Sequence, residues 1–433
     1  MNFIESLDYL YGLGYELSVR KFGLENTFAL LNALENPEKN YLKIQIAGTN
    51  GKGSTCAFLE SICLAADIKA GKYTSPHLIS ITERICVDGS EISENKFAEY
   101  ATVIRNVSEK LVEDGKLEAL PTFFEQVTSI ALKFFADEKI EIAILETGLG
   151  GRFDSTTAAK AEIVAFTPID FDHQHILGNT LKEIASEKAA IIRPDTKVFS
   201  TEQSREAKKI IYGKCRESGV EPVWAIPNVR VIEDLGFGIH YLSFQTKLAN
   251  YKPDFWMQGR HQWTNATLAI YIAESLSDFG FKISRDQIET GIEQTRHQGR
   301  LEFLQGILFD GAHNISGAKA LREYLDEFIK QPITMIFGTM KEKDLTETGE
   351  ILFPKAEKLI LTKPDNPRAM EISELKEFVP AYFPEQNLFL SENVIKALKK
   401  AKEISHENDL ILVTGSLYLV GEVQKIVQSE SEI

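Results

Sequence analysis

One turn constrains this chain more than any other feature: AGTNGKGS, residues 47–54, set between a strand pattern and a helix pattern. Leu42, Ile44 and Ile46 alternate as in a buried strand over 42–47. A helix is expected from near Ser54, with Leu59, Ile62, Cys63 and Ala66 at the spacing of one apolar face. Glycines at 48, 51 and 53 let backbone N–H groups approach an anion closely, and the helix N-terminus adds its dipole. Lys52 supplies a cation, and the hydroxyl of Ser54 or Thr55 can complete a magnesium shell. The spelling departs from the usual phosphate loop, G-x-x-x-x-G-K-[ST]. Ile46 stands at the first glycine, and Gly53 separates Lys52 from Ser54.

Short apolar strands and amphipathic helices alternate along most of the chain, which predicts an α/β fold. Strands are expected at 142–145 and 163–167, and Thr180 with Glu183 reads as a capping box. Residues 198–258 hold short strand-like runs that suit an antiparallel edge. A helix from Ser284, with Gln287 as capping partner, ends near Gln294, and the polar segment TRHQGR, 295–300, reads as a linker. Alternation then restarts with strands at 307–309, 333–337, 358–361 and 410–413. Leu321, Leu325, Phe328 and Ile329 mark one helix, and Ser391 reads as the cap of another bearing Val394, Ile395 and Leu398. The expected architecture is an N-terminal P-loop ATPase-like domain, 1–295, with a mostly parallel sheet, and a smaller Rossmann-like domain, 296–433.

With 433 residues the chain has room for both. Its net charge of −15 argues against nucleic acid as a partner, so any anion must bind at a local cationic exception. No apolar run suits a bilayer span, and the start, MNFIESLDYLYG, lacks signal-peptide character. Cys56, Cys63, Cys86 and Cys215 have no CxxC spacing, so neither a zinc site nor a disulfide framework is indicated. A cytoplasmic protein is expected.

A second motif, ILETGLGGRFD (144–154), puts Glu146 at the carboxyl end of a strand, where a carboxylate can hold magnesium beside phosphates. Arg152 could meet an anion. In DFDHQHILGNT (170–180), His173 follows another strand and could ligate a second ion, with His175 ranked below it. Lys188 shares a helical face with Leu181, Ile184, Ala185, Ile191 and Ile192. A buried ammonium must snorkel, find a carboxylate or lose its proton, and a neutral amine can take up carbon dioxide as a carbamate. HQWTN (261–265) offers Asn265, HQGR (297–300) offers Arg300, and FDGAHN (309–314) sets Asp310 and His313 just past a strand.

Taken with TSPHL (74–78), PTFFE (121–125), LGNT and EKAAI (187–191), these motifs resemble the folylpolyglutamate synthase/dihydrofolate synthase branch of the Mur ligases, in family order. The resemblance implies ATP-dependent joining of L-glutamate to a folate-type carboxylate, tetrahydrofolate or dihydropteroate, through an acyl phosphate. It implies ATP contacts from Thr49, Asn50, Gly51, Lys52, Gly53, Ser54, Thr55, Asn265, Arg300, Asp310 and His313. It further implies two magnesium ions held among Ser54, Ser75, Glu146 and His173, and a carbamylated Lys188. Catalysis would fall to Lys52, Glu146, His173 and Lys188. The folate substrate would meet Phe22, Gly23, Thr122, Phe123, Phe124, Glu125, Arg152, Phe153 and Asp154. Thr157 replaces the family's usual asparagine, which should alter the pocket rim, while Ala190 replaces a glycine harmlessly. A monomer is expected. Murein-precursor ligases carry a further domain ahead of the loop, for which 47 residues leave no room. A Mur-type ligase with another carboxylate substrate, and a P-loop kinase or regulatory NTPase, are the competing readings.

Overall fold

The computed structural model describes residues 1–14, 23–236, 238–341 and 345–431. Among them an eight-stranded sheet forms from β1 (Leu42–Ala47), β2 (Ala70–Tyr73), β3 (Ile85–Val87), β4 (Ser90–Glu91), β5 (Ile142–Glu146), β6 (Ile163–Phe166), β7 (Lys197–Ser200) and β8 (Pro222–Trp224). Its order is β4-β3-β2-β5-β1-β6-β7-β8. The run from β2 to β8 is parallel, and β3 and β4 add antiparallel pairs at one edge. β1, β5 and β6 are buried along nearly their whole length. Helices therefore cover both faces, and the strands read as continuous apolar runs.

Residues 229–255 build a second, antiparallel sheet instead of an edge on the first: β9 (Val229–Gly236), β10 (Ile239–Gln245), β11 (Asn250–Tyr251) and β12 (Asp254–Phe255). It covers the helix Lys52–Ala65, with Phe58 and Phe255 stacked at 5.7 Å between ring centroids. Leu242, Phe244 and Phe255 share one core with Cys56, Leu59 and Ile62. The helix that follows the glycine turn is thus wedged between two sheets.

A third sheet is made of β13 (Glu302–Leu304), β14 (Ile307–Asp310), β15 (Ile333–Phe337), β16 (Lys358–Thr362), β17 (Leu388–Ser391) and β18 (Leu410–Thr414). Its order is β13-β14-β18-β15-β16-β17, parallel except for the β13–β14 pair. Separate apolar clusters pack its two faces.

The capping boxes at Thr180–Glu183 and Ser284–Gln287 form as expected. One expected cap does not. Ser391 ends β17, and Asn393 caps the helix Val394–Ile404, leaving Ile395 on its exposed side. Among the described residues no helix is long and apolar enough to cross a membrane.

Candidate active site

Strand register assembles the site. Ile46 pairs with Glu146 and Ala47 with Phe166, so the carboxyl ends of β1, β5 and β6 lie side by side. The glycine loop leaves β1 between Glu146 and the turn that carries His173, as ligand sites do in open α/β sheets. The helix begins at Lys52, two residues earlier than expected, with Gly51 at its N-cap at φ 88°. A Cβ on Gly51 would collide with Asn265 Oδ1, so glycine is required for conformation and for space. Lys52 Nζ folds back onto the carbonyls of Gly48, 3.3 Å, and Thr49, 3.1 Å. Thr49 ties the loop to the turn after β6 by exchanging hydrogen bonds with the Asp170 backbone.

Of the two candidate hydroxyls, Ser54 lines the cavity, whereas Thr55 donates back to Gly51 O at 2.9 Å. Ser54 Oγ lies 3.0 Å from His297 Nδ1 and accepts from Gln262 Nε2 at 3.3 Å. Gln262 in turn accepts from Asn265 Nδ2 at 2.8 Å. Burial together with the charges of Arg300 and Lys72 holds His297 neutral, well below its usual range.

Glu146 is buried and accepts the Ser75 N–H at 3.1 Å. Burial pushes its carboxyl up, against the pull of Lys52. Lys188 is buried at the end of the helix Leu181–Ala189, and its Nζ donates to Gly48 O at 2.8 Å. Burial first, then the charge of Lys52, lowers its amine to about 7. Of the three outcomes open to a lysine on that face, this environment eases loss of the proton, against the pull of Asp172 and Asp154.

The second lobe closes the cavity. Asp310, at the end of β14, accepts the N–H groups of Leu301 and Ala312 at 3.1 and 2.9 Å. Burial raises its carboxyl to about 6. His313 Nδ1 donates to Gly311 O at 2.8 Å, which turns Nε2 toward Asp172, 3.7 Å away. Across the seam Asn50 and Asn314 exchange amide hydrogen bonds of 3.0 Å each, and Asn314 Nδ2 also reaches Asp172 at 2.9 Å.

The loop from Gly48 to Ser54, with Glu146, Lys188, Asn265, Asp310 and His313, lines a cavity of about 340 Å³. A neighbouring cavity of about 280 Å³ shares Ser75, Pro76, Leu149, His173 and His313 with it. That second space is walled by Phe123, Phe124, Met340 and Tyr418, with the cations Arg84 and Arg368. Arg84 is held by His77 Nδ1 at 2.9 Å and lies over the Phe123 ring, while Arg368 donates to Tyr418 Oη at 3.0 Å.

Not every expected substrate contact reaches these cavities. Phe123 and Phe124 do. Thr122 and Glu125 are spent on a capping box for the helix Phe123–Asp137. Arg152 pairs with Glu187 at 2.9 Å, and Phe153 is 46% exposed. Asp154 is buried, capping the turn Ser155–Ala159 and accepting the Leu149 N–H. Gly23 stands outside both cavities, against Glu25, and Phe22 lies outside the described residues. Thr157 does not alter a rim: its hydroxyl points inward, to Gly151 O and Gln45. Asp172, Gln262, His297, Asn314, Arg84 and Arg368 were not singled out from the sequence. The first four sit inside quoted motifs, but nothing local shows that their side chains meet.

The residues fit a magnesium nucleotide. Among the described residues no three His, Cys, Asp or Glu side chains cluster as a dedicated metal cage. Magnesium bound to phosphates needs no such cage, because it takes most of its shell from phosphate oxygens and water. The Ser54 hydroxyl and the buried Glu146 carboxylate are hard oxygen donors beside a loop whose glycines leave phosphate-sized space.

A mostly parallel sheet with this loop, and a second α/β lobe closing over it, define a two-lobed nucleotide-binding α/β protein, and the relatives it resembles place it among the ATP-dependent ligases. The Mur ligase middle domain pattern matches residues 46–273, and the Mur ligase, glutamate ligase domain pattern matches residues 299–417. The chain is 33% identical to a dihydrofolate synthase/folylpolyglutamate synthase of Bacillus subtilis over 415 residues, covering 94% of this chain and 95% of that one. The folylpolyglutamate synthase of Mycobacterium tuberculosis, solved with ADP and AMPPCP, superimposes with a TM-score of 0.89 at 27% identity, over 98% of this chain and 99% of that one. The bifunctional folylpolyglutamate synthase/dihydrofolate synthase of Yersinia pestis, solved with AMPPNP and a Mn ion, gives 0.84 at 25% identity, over 99% and 98%. This chain belongs to the Mur ligase family, in its folylpolyglutamate/dihydrofolate synthase branch.

Proposed function

We propose that this ligase joins L-glutamate to a folate-type carboxylate, tetrahydrofolate or dihydropteroate, with ATP as the activating substrate. The observation that carries this is the pair of contiguous cavities. One is built of phosphate-loop and Asp310-side groups, and the other is an aromatic slot with two cations. A triphosphate in the first would put its terminal phosphorus at the shared wall, near Ser75 and His173. A carboxylate reaching that wall from the second stands in line for attack.

The chemistry runs in two displacements. The substrate carboxylate oxygen bonds to the γ-phosphorus while the bridging bond to the β-phosphate breaks, releasing ADP and leaving an acyl phosphate. The glutamate amine, having given up its proton, attacks the acyl carbon, and the tetrahedral intermediate expels phosphate. Lys52 would face the charge that shifts between the phosphates during the first step, in a site where burial strengthens such interactions. Ser54, Ser75, Glu146 and His173 would hold divalent metal, which when bound neutralises phosphate charge. Asn265, Arg300, Asp310 and His313 would orient the nucleotide across the seam. A carbamate on Lys188 would put negative charge where the amine now meets Gly48 O.

We take residues 1–295 and 296–433 as the two working units, acting as a monomer. All four cysteines are buried and unpaired, which supports a reducing, cytosolic setting. The test is ADP release with ATP, magnesium and glutamate, comparing dihydropteroate with reduced folates as acceptors. Release is expected only when acceptor and glutamate are both present. Steady glutamate-independent release would favour an NTPase and overturn the reading.

A further inference from the structure

Ser54 has one proton and two lone pairs to distribute. Gln262 Nε2 donates into one lone pair at 3.3 Å, the orientation in which Gln262 Oε1 accepts from Asn265 Nδ2 at 2.8 Å. The remaining partner is His297 Nδ1, 3.0 Å away. If a neutral ring carried its proton on Nδ1, both serine lone pairs would be filled and the hydroxyl hydrogen would point into the cavity, repelling a cation. If the proton sits on Nε2, Nδ1 accepts from Ser54, and one serine lone pair is left for the loop.

The seat of this ring is built into the loop. A Cβ at position 53 would stand 3.0 Å from His297 Cε1 and 3.3 Å from Nε2, so the extra glycine between Lys52 and Ser54 makes room for the imidazole. His297 itself comes from the segment joining the helix Arg285–Gln294 to β13. A residue on the connection between the lobes therefore touches the loop's cavity-facing hydroxyl.

We propose that His297 is a positioning residue for Ser54: its Nδ1 takes the serine proton and turns an Oγ lone pair toward the divalent cation bound with the nucleotide. This rests on the reading above of Ser54 as a cation-facing hydroxyl. The test is Mn2+ affinity of the full chain, read by electron paramagnetic resonance in the presence of a non-hydrolysable ATP analogue. Analogue affinity in chelator is measured alongside.

His297→Leu is expected to weaken Mn2+ binding about tenfold or more, as loss of an outer-shell partner does, with analogue affinity in chelator changed by less than about twofold. His297→Asn, whose Oδ1 can stand where Nδ1 stood, is expected to recover most of that loss. Unchanged Mn2+ affinity in His297→Leu overturns the proposal, as does His297→Asn binding Mn2+ as poorly as His297→Leu while both melt like the parent. The unaltered chain separates the two readings. If it releases ADP only with acceptor and glutamate yet His297→Leu is normal, only the positioning role falls. If it shows no metal-promoted nucleotide binding, the proposed function falls and the role with it.

Discussion

Lys52 reaches two loop carbonyls without a carboxylate partner in that contact, so its charge stays available to an anion. Lys52→Ala is expected to cut ADP release by about 10²–10³-fold, the scale for losing one preorganised electrostatic contact. A steady-state ADP assay checks this, with near-parental turnover counting against the loop's role. Lys188 makes a pH argument. Its amine titrates ordinarily at 10.5 but at about 7 in the folded chain. Between those values the unfolded chain holds the extra proton, so the contribution of Lys188 to stability rises with pH and is lost as pH falls toward 7, while above about 9 the buried thiols, pushed up by burial, pull the other way. Melting of carbon-dioxide-free protein between about pH 7 and 8.5, below the ordinary thiol range, should show this slope, and Lys188→Met should flatten it. Carbamate formation needs the neutral amine, so a 13C carbonyl resonance from labelled carbon dioxide should grow through about pH 7 and be missing in Lys188→Met. The sequence showed Lys188 interrupting an apolar stripe. It could not show the Gly48 carbonyl that meets it, 140 residues away.

At the scale of elements, caps and turns tie fold to function. Asn314 caps the helix Ile315–Phe328 by accepting the Gly317 N–H, and the same side chain bridges to Asn50 and Asp172. Asn314→Ala is expected to cost about 1 kcal/mol from the cap alone and to raise the KM for ATP, read by thermal melting and kinetics. A rise in KM without any loss of stability would mean that the cap is dispensable. Local signals of this kind are legible in sequence when partners are three residues apart, as at Thr180–Glu183. They fail when two candidates compete: Ser391 looked like a cap, but β17 extends through it and leaves Asn393 at the helix start. Residues 229–255 were readable as strands but not as a separate sheet, because which sheet a strand joins depends on the face it can bury. Here that face belongs to the helix Lys52–Ala65.

At the scale of the molecule, a nucleotide held from both lobes, as proposed above, should make the seam respond to ligand. Arg296 is exposed on the connecting segment, just before His297. Trypsin cleavage after Arg296 is expected to slow several-fold with a non-hydrolysable ATP analogue and metal, followed by gel densitometry; unchanged cleavage would argue against closure on the nucleotide. The sequence by itself determined the alternating α/β elements, the glycine turn and the acidic strand end, because each depends on neighbours within one turn or one strand. It located Lys52, Glu146 and Asp310 on the same reasoning, while the aromatic pair Phe123–Phe124 came only from the family resemblance. Tertiary structure alone decided that Ser54 faces the cavity while Thr55 turns away, that Arg152 is taken by Glu187, and that His297, Asn314 and Arg368 join from distant segments. Those outcomes turn on burial and hydrogen-bond competition among groups far apart in the chain, and only packing brings such groups within reach of one another.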